Sequence, residues 1–288
     1  MGLLMVLLCA LAIGMTAFAA DDKTMTNKKW ISGVGGAYAD EDKDGKIESY
    51  EPYDTQYYKI KIPKQGYIMV DAKFSPLAGK QGYIDFMNED MDDEGMDYTD
   101  ESLSITILNS QKKELAYYSS DDTGKKNQYR FSWAVKKGTY YLAVTGNANY
   151  KLRYAFTQVK KVSRAGKTME KAVTLKRGKT VKNLLFYDNK NFSGHFFKLN
   201  VPQNSKVVVA CNSKLTGNDF SNLFVQIYVK QGGKYRQVNT KGKLIPKDSV
   251  EWYGMEGKDS VSYKLSKGTY YLRALSINGS GYYTLKWK

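Results

Sequence analysis

The hexapeptide Lys137-Gly138-Thr139-Tyr140-Tyr141-Leu142 recurs letter for letter at Lys267-Gly268-Thr269-Tyr270-Tyr271-Leu272, in a chain of 288 residues. The match extends well beyond the hexapeptide. Lys23-Thr24-Met25 returns as Lys167-Thr168-Met169. "YYKIKIP" (Tyr57 to Pro63) is echoed by "FFKLNVP" (Phe196 to Pro202), and "LSITIL" (Leu103 to Leu108) by "LFVQIY" (Leu223 to Tyr228). The order is the same in both halves, which is the signature of an internal duplication. The chain therefore divides into 21–160 and 161–288, joined at "VKKVSRAGK". Each half is long enough to bury its own core.

Within the repeated pieces apolar and polar residues alternate. Tyr58, Ile60 and Ile62 share one face of "YYKIKIP" while Tyr57, Lys59 and Lys61 share the other, the pattern of a half-buried strand. Helical periodicity is nearly absent. Short strands separated by Gly, Asn and Lys-Gly turns predict an all-β chain of two tandem antiparallel β-sandwich domains. In each KGTYYL the Gly supplies a turn, and one of the two tyrosines alternates inward.

The [Tyr/Phe]-[Tyr/Phe]-Lys-[Ile/Leu]-x-[Ile/Val]-Pro strand and the late "KGTYYL" followed by a "GxYxL"-type strand resemble the bacterial pre-peptidase C-terminal domain family. Collagen-binding domains of clostridial collagenases are similar to that family. The resemblance covers both halves and implies jelly-roll-like sandwiches of the kind appended to secreted proteases and other exported proteins. Such motifs specify architecture rather than ligand.

Gly2 to Ala20 carries no charge, is apolar, and closes on Ala17-Phe18-Ala19 ahead of Asp21 and Asp22. This reads as a signal peptide over 1–20, and hence as a secreted protein, with cell-surface association as a variant. An uncleaved N-terminal anchor is the other reading and the only membrane contact expected. Beyond that segment Cys211 is the sole cysteine, which excludes an intramolecular disulfide. In "KVVVACNS" it reads as a buried, inert thiol.

The copies differ in two acidic insertions. From Thr24 to Tyr57 is 33 positions against 28 from Thr168 to Phe196, and from Tyr57 to Leu103 is 46 against 27 from Phe196 to Leu223. In "DEDKDGKIESYE", Asp40, Asp42, Asp44, Gly45, Ile47 and Glu51 occupy positions 1, 3, 5, 6, 8 and 12 of a calcium loop like that of the EF-hand family, and the carbonyl of Lys46 would be the position 7 ligand. Ca2+ needs about six to eight oxygens, which alternate carboxylates and a terminal bidentate Glu supply. In "DMDDEGMDYTDE", Asp90, Asp92, Glu94, Gly95 and Glu101 repeat the spacing with Asp97 at the apolar position. That stretch reads equally as a metal loop or as a solvated acidic turn.

Residues 21–160 carry 20 Lys and Arg against 22 Asp and Glu, and residues 161–288 carry 24 against 7. So basic a second half attracts polyanions. For an exported protein the candidates are teichoic acid, acidic polysaccharide, anionic lipid headgroups or extracellular matrix protein. No nucleic-acid motif accompanies the charge, and none is expected to bind. "TLKRGKTVK" and "KQGGKYRQVNTKGK" supply the candidate ligand residues Lys176, Arg177, Lys179, Lys182, Lys234, Arg236, Lys241 and Lys243. The competing reading is that these lysines only keep outer strands soluble and block edge pairing. Most of the 24 tyrosines belong in cores or cross-strand pairs, with Tyr50, Tyr57, Tyr117 and Tyr118 as candidates for an exposed binding face.

No catalytic constellation is read in the chain. His195 is its only histidine and aligns with Gln56 of the first copy, a replaceable strand position. Ser110-x-x-Lys113 falls in a hairpin turn, whereas that catalytic motif belongs on a helix. The expectation is a monomeric, non-catalytic binding protein, calcium-stabilised in its first half and polyanion-binding in its second. The alternatives are a glycan- or collagen-type adhesin using tyrosine faces, and an accessory or inhibitor of a separate secreted protease.

Overall fold

A computed structural model of the chain describes residues 22–34, 39–41, 47–50, 55–75, 103–119, 128–146, 148–186, 194–216, 222–277 and 279–288. The 1–20 segment lies outside the described residues. Among the described residues no helix is long and apolar enough to cross a membrane.

The first half runs β1 (Lys23–Thr24), β2 (Ile31–Val34), β3 (Ala39–Glu41), β4 (Ile47–Tyr50), β5 (Gln56–Ile62), β6 (Gly66–Ser75), β7 (Leu103–Leu108), β8 (Glu114–Ser119), β9 (Gln128–Val135), β10 (Gly138–Gly146) and β11 (Asn149–Gln158). Two sheets form, in the orders β1-β5-β10-β7-β8 and β2-β11-β6-β9, with β3-β4 a separate hairpin. The second half runs β12 (Val173–Thr174), β13 (Thr180–Leu185), β14 (His195–Val201), β15 (Ser205–Thr216), β16 (Leu223–Gln231), β17 (Lys234–Val238), β18 (Tyr253–Met255), β19 (Lys258–Leu265), β20 (Gly268–Leu275) and β21 (Ser280–Trp287). Its sheets follow the same plan: β12-β14-β20-β16-β17 with β18 on β16, and β13-β21-β15-β19. Pairing is antiparallel except where the short β1 and β12 lie parallel to β5 and β14.

Alternation decides which residues become core. Tyr58, Ile60, Ile68, Val70, Leu142 and Leu152 fill the first sandwich, and Phe197, Leu199, Val207, Val209, Leu272 and Leu285 the second. Each such side chain contributes roughly 1.5–3 kcal/mol by leaving water. The repeated hexapeptide closes each core: Tyr140 and Tyr270 turn inward, and the Tyr140 hydroxyl accepts the Lys136 amide across the turn, at 3.1 Å. Tyr141 and Tyr271 take the outer face.

The halves are locked at one joint. The edge strand β9 sets Ala134 N donating to Ser280 Oγ at 2.9 Å, and Ser280 Oγ donates on to Leu185 O at 3.0 Å. Ser132 Oγ donates to Lys214 O at 2.7 Å. Tyr67, Ala134, Val159 and Leu184 bury a small cluster there, against Met69 and Tyr282. An edge strand otherwise leaves its amides open to any passing strand; here that of Ala134 is capped from within the chain. The connecting segment is tied at both ends, by Val159 N to Gln65 O at 3.2 Å and by Ser163 N to Lys182 O at 2.8 Å.

Candidate functional site

The four-stranded sheet of the second sandwich turns Val207, Val209, Cys211, Tyr283, Leu285 and Trp287 to the core. Alternation then aims Lys182 of β13, Lys286 of β21, Lys206 of β15, and Lys258 and Lys264 of β19 outward. The register sets Lys206 opposite Lys264, Thr180 opposite Lys286, and Asn212 opposite both Thr284 and Lys258. Between the lysines lie Thr180, Thr284, Asn212, Ser260 and Ser262, and no outward position of these strands carries a carboxylate. Among the described residues no ion pair engages these lysines. Neighbours on such a face are about 5 Å apart across strands and 7 Å along them, inside the screening length of about 8 Å at physiological salt. The cations therefore act on a ligand together.

Four of the sequence candidates belong to this surface. Lys182 is on it, and the exposed Lys176, Arg177 and Lys179 form the β12–β13 turn beside it. That turn is held by Lys179 N to Lys176 O at 3.1 Å and by Gly178 N to Trp287 O at 2.8 Å. The other four are elsewhere. Lys234 starts β17 at the edge of the opposite sheet, and Lys241 and Lys243 ride a turn whose amides both donate to Asn239 Oδ1 at 3.0 Å. Arg236 is half-buried and donates from Nη2 to Ile245 O at 3.3 Å. The eight candidates thus form two separate sets, and Arg236 braces a loop. Sequence reasoning missed Lys206, Lys258, Lys264 and Lys286, because they are scattered along strands instead of gathered in runs.

The tyrosine candidates divide as sharply. Tyr118 is buried and stacked on Phe131 with ring centroids 3.8 Å apart, so it is core rather than surface. Tyr57 is on the outer face, but Lys112 Nζ sits 4.3 Å from its ring centroid and 5.3 Å from that of Tyr141, held there by Asp22 at 2.9 Å. Among the described candidates only Tyr117 stands open, 49% exposed, its hydroxyl hydrogen-bonded to Ser104 Oγ. The side chain of Tyr50 lies outside the described residues.

Of the calcium candidates, Asp40 is on β3, its backbone opposite Ser49 of β4, with a bulge at Asp40/Glu41. Positions 1 and 10 of the twelve-residue stretch therefore face one another across a β-hairpin. Asp42, Asp44, Lys46 and Glu51, and all of Asp90, Asp92, Glu94 and Glu101, lie outside the described residues. Among the described residues no three His, Cys, Asp or Glu side chains converge on a metal position.

His195 Nδ1 and the Tyr283 hydroxyl share a hydrogen bond of 2.7 Å, and burial pushes the imidazole pKa down to about 4. It is neutral at physiological pH and bonded to a core phenol. Burial pushes the Cys211 thiol up to about 11, leaving essentially no thiolate at neutral pH. Ser110 lies in the β7–β8 turn, where Gln111 N and Lys113 N both donate to Asn109 Oδ1 at 2.9 Å.

No family model matches the chain, and no curated protein matches it. Among solved structures it is similar to tripeptidyl peptidase 2, at 11% identity and a TM-score of 0.28, over 92% of this chain. The chain spans 24% of that peptidase's length. It is also similar to the CUB1-EGF-CUB2 segment of human MASP-1/3, at 7% identity and TM-score 0.22, covering 90% of this chain and 99% of that one. A third likeness is to the CBM22-1-CBM22-2 tandem of Paenibacillus barcinonensis Xyn10C, at 8% identity and TM-score 0.22, covering 91% and 94%. At these scores none of the three carries a functional assignment.

Proposed function

We propose that the chain is an exported, non-catalytic binding protein. Its second sandwich captures an anionic envelope or matrix polymer, such as teichoic acid or acidic polysaccharide, on the lysine face of its four-stranded sheet. The observation that carries this reading is the outward set Lys182, Lys206, Lys258, Lys264 and Lys286, interleaved with hydroxyl and amide side chains and free of carboxylates. Solubility alone is served by mixed charges; one sign over a whole face favours an oppositely charged partner. The Ser, Thr and Asn side chains offer hydrogen bonds to the same ligand, so register as well as attraction is supplied. Export is inferred from the 1–20 stretch, and calcium is assigned to the two acidic insertions as a stabilising ion of the first half.

The test is retention on immobilised lipoteichoic acid and on immobilised polygalacturonate, eluted with a salt gradient. Lys182→Gln/Lys264→Gln/Lys286→Gln should elute at clearly lower salt than the parent, while Lys234→Gln/Lys241→Gln/Lys243→Gln should elute close to it. Equal losses from both triples, or retention indifferent to salt, would sink the proposal.

A further inference from the structure

The first sandwich carries a cavity of about 480 Å3 at one end of its four-stranded sheet, lined by Ser32, Val34, Lys73, Ser75, Asn149 and Lys151 and floored by the backbone of the strands between them. All six alternate outward: their neighbours Ile31, Phe74, Tyr150 and Leu152 pack against the core. The rows of this sheet differ in how they balance charge. In one, Asp71 lies between Arg153 and Arg130, paired to both, with its oxygen 2.6 Å from Arg153 Nη2. In the adjacent row, Lys73 faces Lys151 directly and is flanked by Ser32 beyond Lys151 and Gln128 on the other side. Like charges set directly opposite on a sheet repel. Among the described residues one row carries its own anion and the next, at the cavity, carries none.

Val34 in the cavity wall and Trp30 beside it, outside the lining, add a second kind of chemistry. Val34 is 61% exposed and Trp30 39% exposed, with Lys73 Nζ 5.7 Å and Arg153 Cζ 4.5 Å from the Trp30 ring centroid. Apolar surface lies beside two cations, two hydroxyls and an amide. A volume of this size is in the range of small-molecule sites, roughly 300–1,000 Å3.

We propose that this cavity binds one anionic sugar unit, its acid group between Lys73 and Lys151, its ring against Val34, and its hydroxyls on Ser32, Ser75 and Asn149. The site is independent of the lysine face of the second sandwich, and it gives the first sandwich an anion-binding role its net charge conceals. The acid group is a carboxylate or a phosphate, and the experiment separates the two.

The full chain is titrated calorimetrically, in chelator, with trigalacturonic acid in one arm, glucose 6-phosphate in a second and maltotriose as the neutral control. Binding of either anion, with maltotriose at least about tenfold weaker, is expected; the arm that binds more tightly identifies the acid group. Lys73→Gln/Lys151→Gln should weaken that binding by about tenfold or more, the worth of one charge-assisted hydrogen bond. Its thermal midpoint should be equal or higher, because the repulsion is removed. Lys182→Gln/Lys286→Gln should leave the affinity as it was, which keeps this site separate from the lysine face. The inference is overturned if neither anion binds the parent chain, if maltotriose binds as well, or if the Lys73/Lys151 variant binds as the parent does.

Discussion

The ring of Tyr67 lies nearly parallel to that of Tyr282, with centroids 5.6 Å apart and planes inclined by 18°, and this contact joins opposite ends of two copies of one fold. Matching the strand registers at the core tyrosines Tyr150 and Tyr283 makes Lys206 the counterpart of Tyr67 and Lys264 the counterpart of Ala134. The same match makes Val34 the counterpart of Leu184 and Asn149 that of Tyr282. The joint is therefore head to tail, a contact that in principle repeats without end. Exposed Lys206 and Lys264 stand where the second copy would need a Tyr67 and an Ala134 to repeat the contact, and these same lysines belong to the outward face of its four-stranded sheet.

Gly281 sits where Ser132 of the first sandwich meets the β15–β21 pairing of the second. A Cβ there would lie 2.1 Å from Lys214 O and 2.8 Å from Ser132 Oγ, at a φ of +153°. Gly281→Ala should cost about 1–3 kcal/mol, read as a lower midpoint in thermal unfolding. Gly178→Ala, at φ +74° with no atom within 4 Å of the added carbon, carries backbone strain alone and should cost less. Equal losses would mean that crowding against Lys214 O and Ser132 Oγ adds nothing to the backbone strain.

His195 should make the second sandwich sensitive to acid. Its folded pKa is lowered to about 4 from an ordinary 6.5, so the unfolded chain takes up the proton first as pH falls. Stability supplied by the neutral, Tyr283-bonded ring is present above pH 6.5 and is lost progressively down to about pH 4, by up to about 3 kcal/mol. His195→Gln, which places here the residue that the first copy has at Gln56, should flatten the urea-midpoint profile between those pH values. An unchanged slope would show that the acid loss comes from other groups.

Fold was legible in the sequence because duplication and alternation are local signals. The inward Tyr58, Ile60 and Ile62 follow from "YYKIKIP" by parity alone, and the KGTYYL copies mark the same turn and strand twice. The lysine faces were legible only in part. Lys182 and the Lys176 to Lys179 turn stood out as a run, but Lys206, Lys258, Lys264 and Lys286 become neighbours only through strand order and register, which no single segment encodes. Lys73 and Lys151 are 78 positions apart in sequence and directly opposite in the sheet. Tyr118 was misjudged because "AYYS" gives two adjacent tyrosines on opposite faces, and a strand cannot reveal which face is core until its partners are known.

Tyr263 offers a test of core polarity. It is wholly buried, packed edge-on against Tyr253 with centroids 5.7 Å apart, and its hydroxyl has no partner among the described residues. Tyr263→Phe removes a buried polar atom without changing the ring, so it should leave stability unchanged or raise it by up to about 1 kcal/mol. Tyr150→Phe is the contrast, since it breaks the 2.6 Å bond with the Tyr58 hydroxyl and should lower stability by about 1 kcal/mol. Denaturant midpoints of the two variants should move in opposite directions or differ by that amount; identical shifts would refute the assignment.

The calcium proposal gains a geometric premise from where the two insertions are tethered. The first leaves the four-stranded sheet after Val34 and the second after Ser75, and both of these residues oppose Asn149 on the strand between them. They rejoin the other sheet at Gln56 and Leu103, opposite Val144 and Gly146 on the single strand β10. Both insertions are thus attached at one end of the first sandwich, at points about 10 Å apart, two strand spacings. Charge repulsion between the insertions opposes folding of that end, and a bound cation relieves it. Millimolar calcium at a hundredfold excess over its Kd should then stabilise the chain by about 2.7 kcal/mol, read as a higher thermal midpoint than in chelator. Asp40→Ala/Glu51→Ala should abolish most of that shift if the first insertion holds the ion, and Asp90→Ala/Glu101→Ala most of it if the second does. A midpoint identical in calcium and chelator would reduce both insertions to solvated acidic segments and leave the lysine surfaces as the remaining candidate sites.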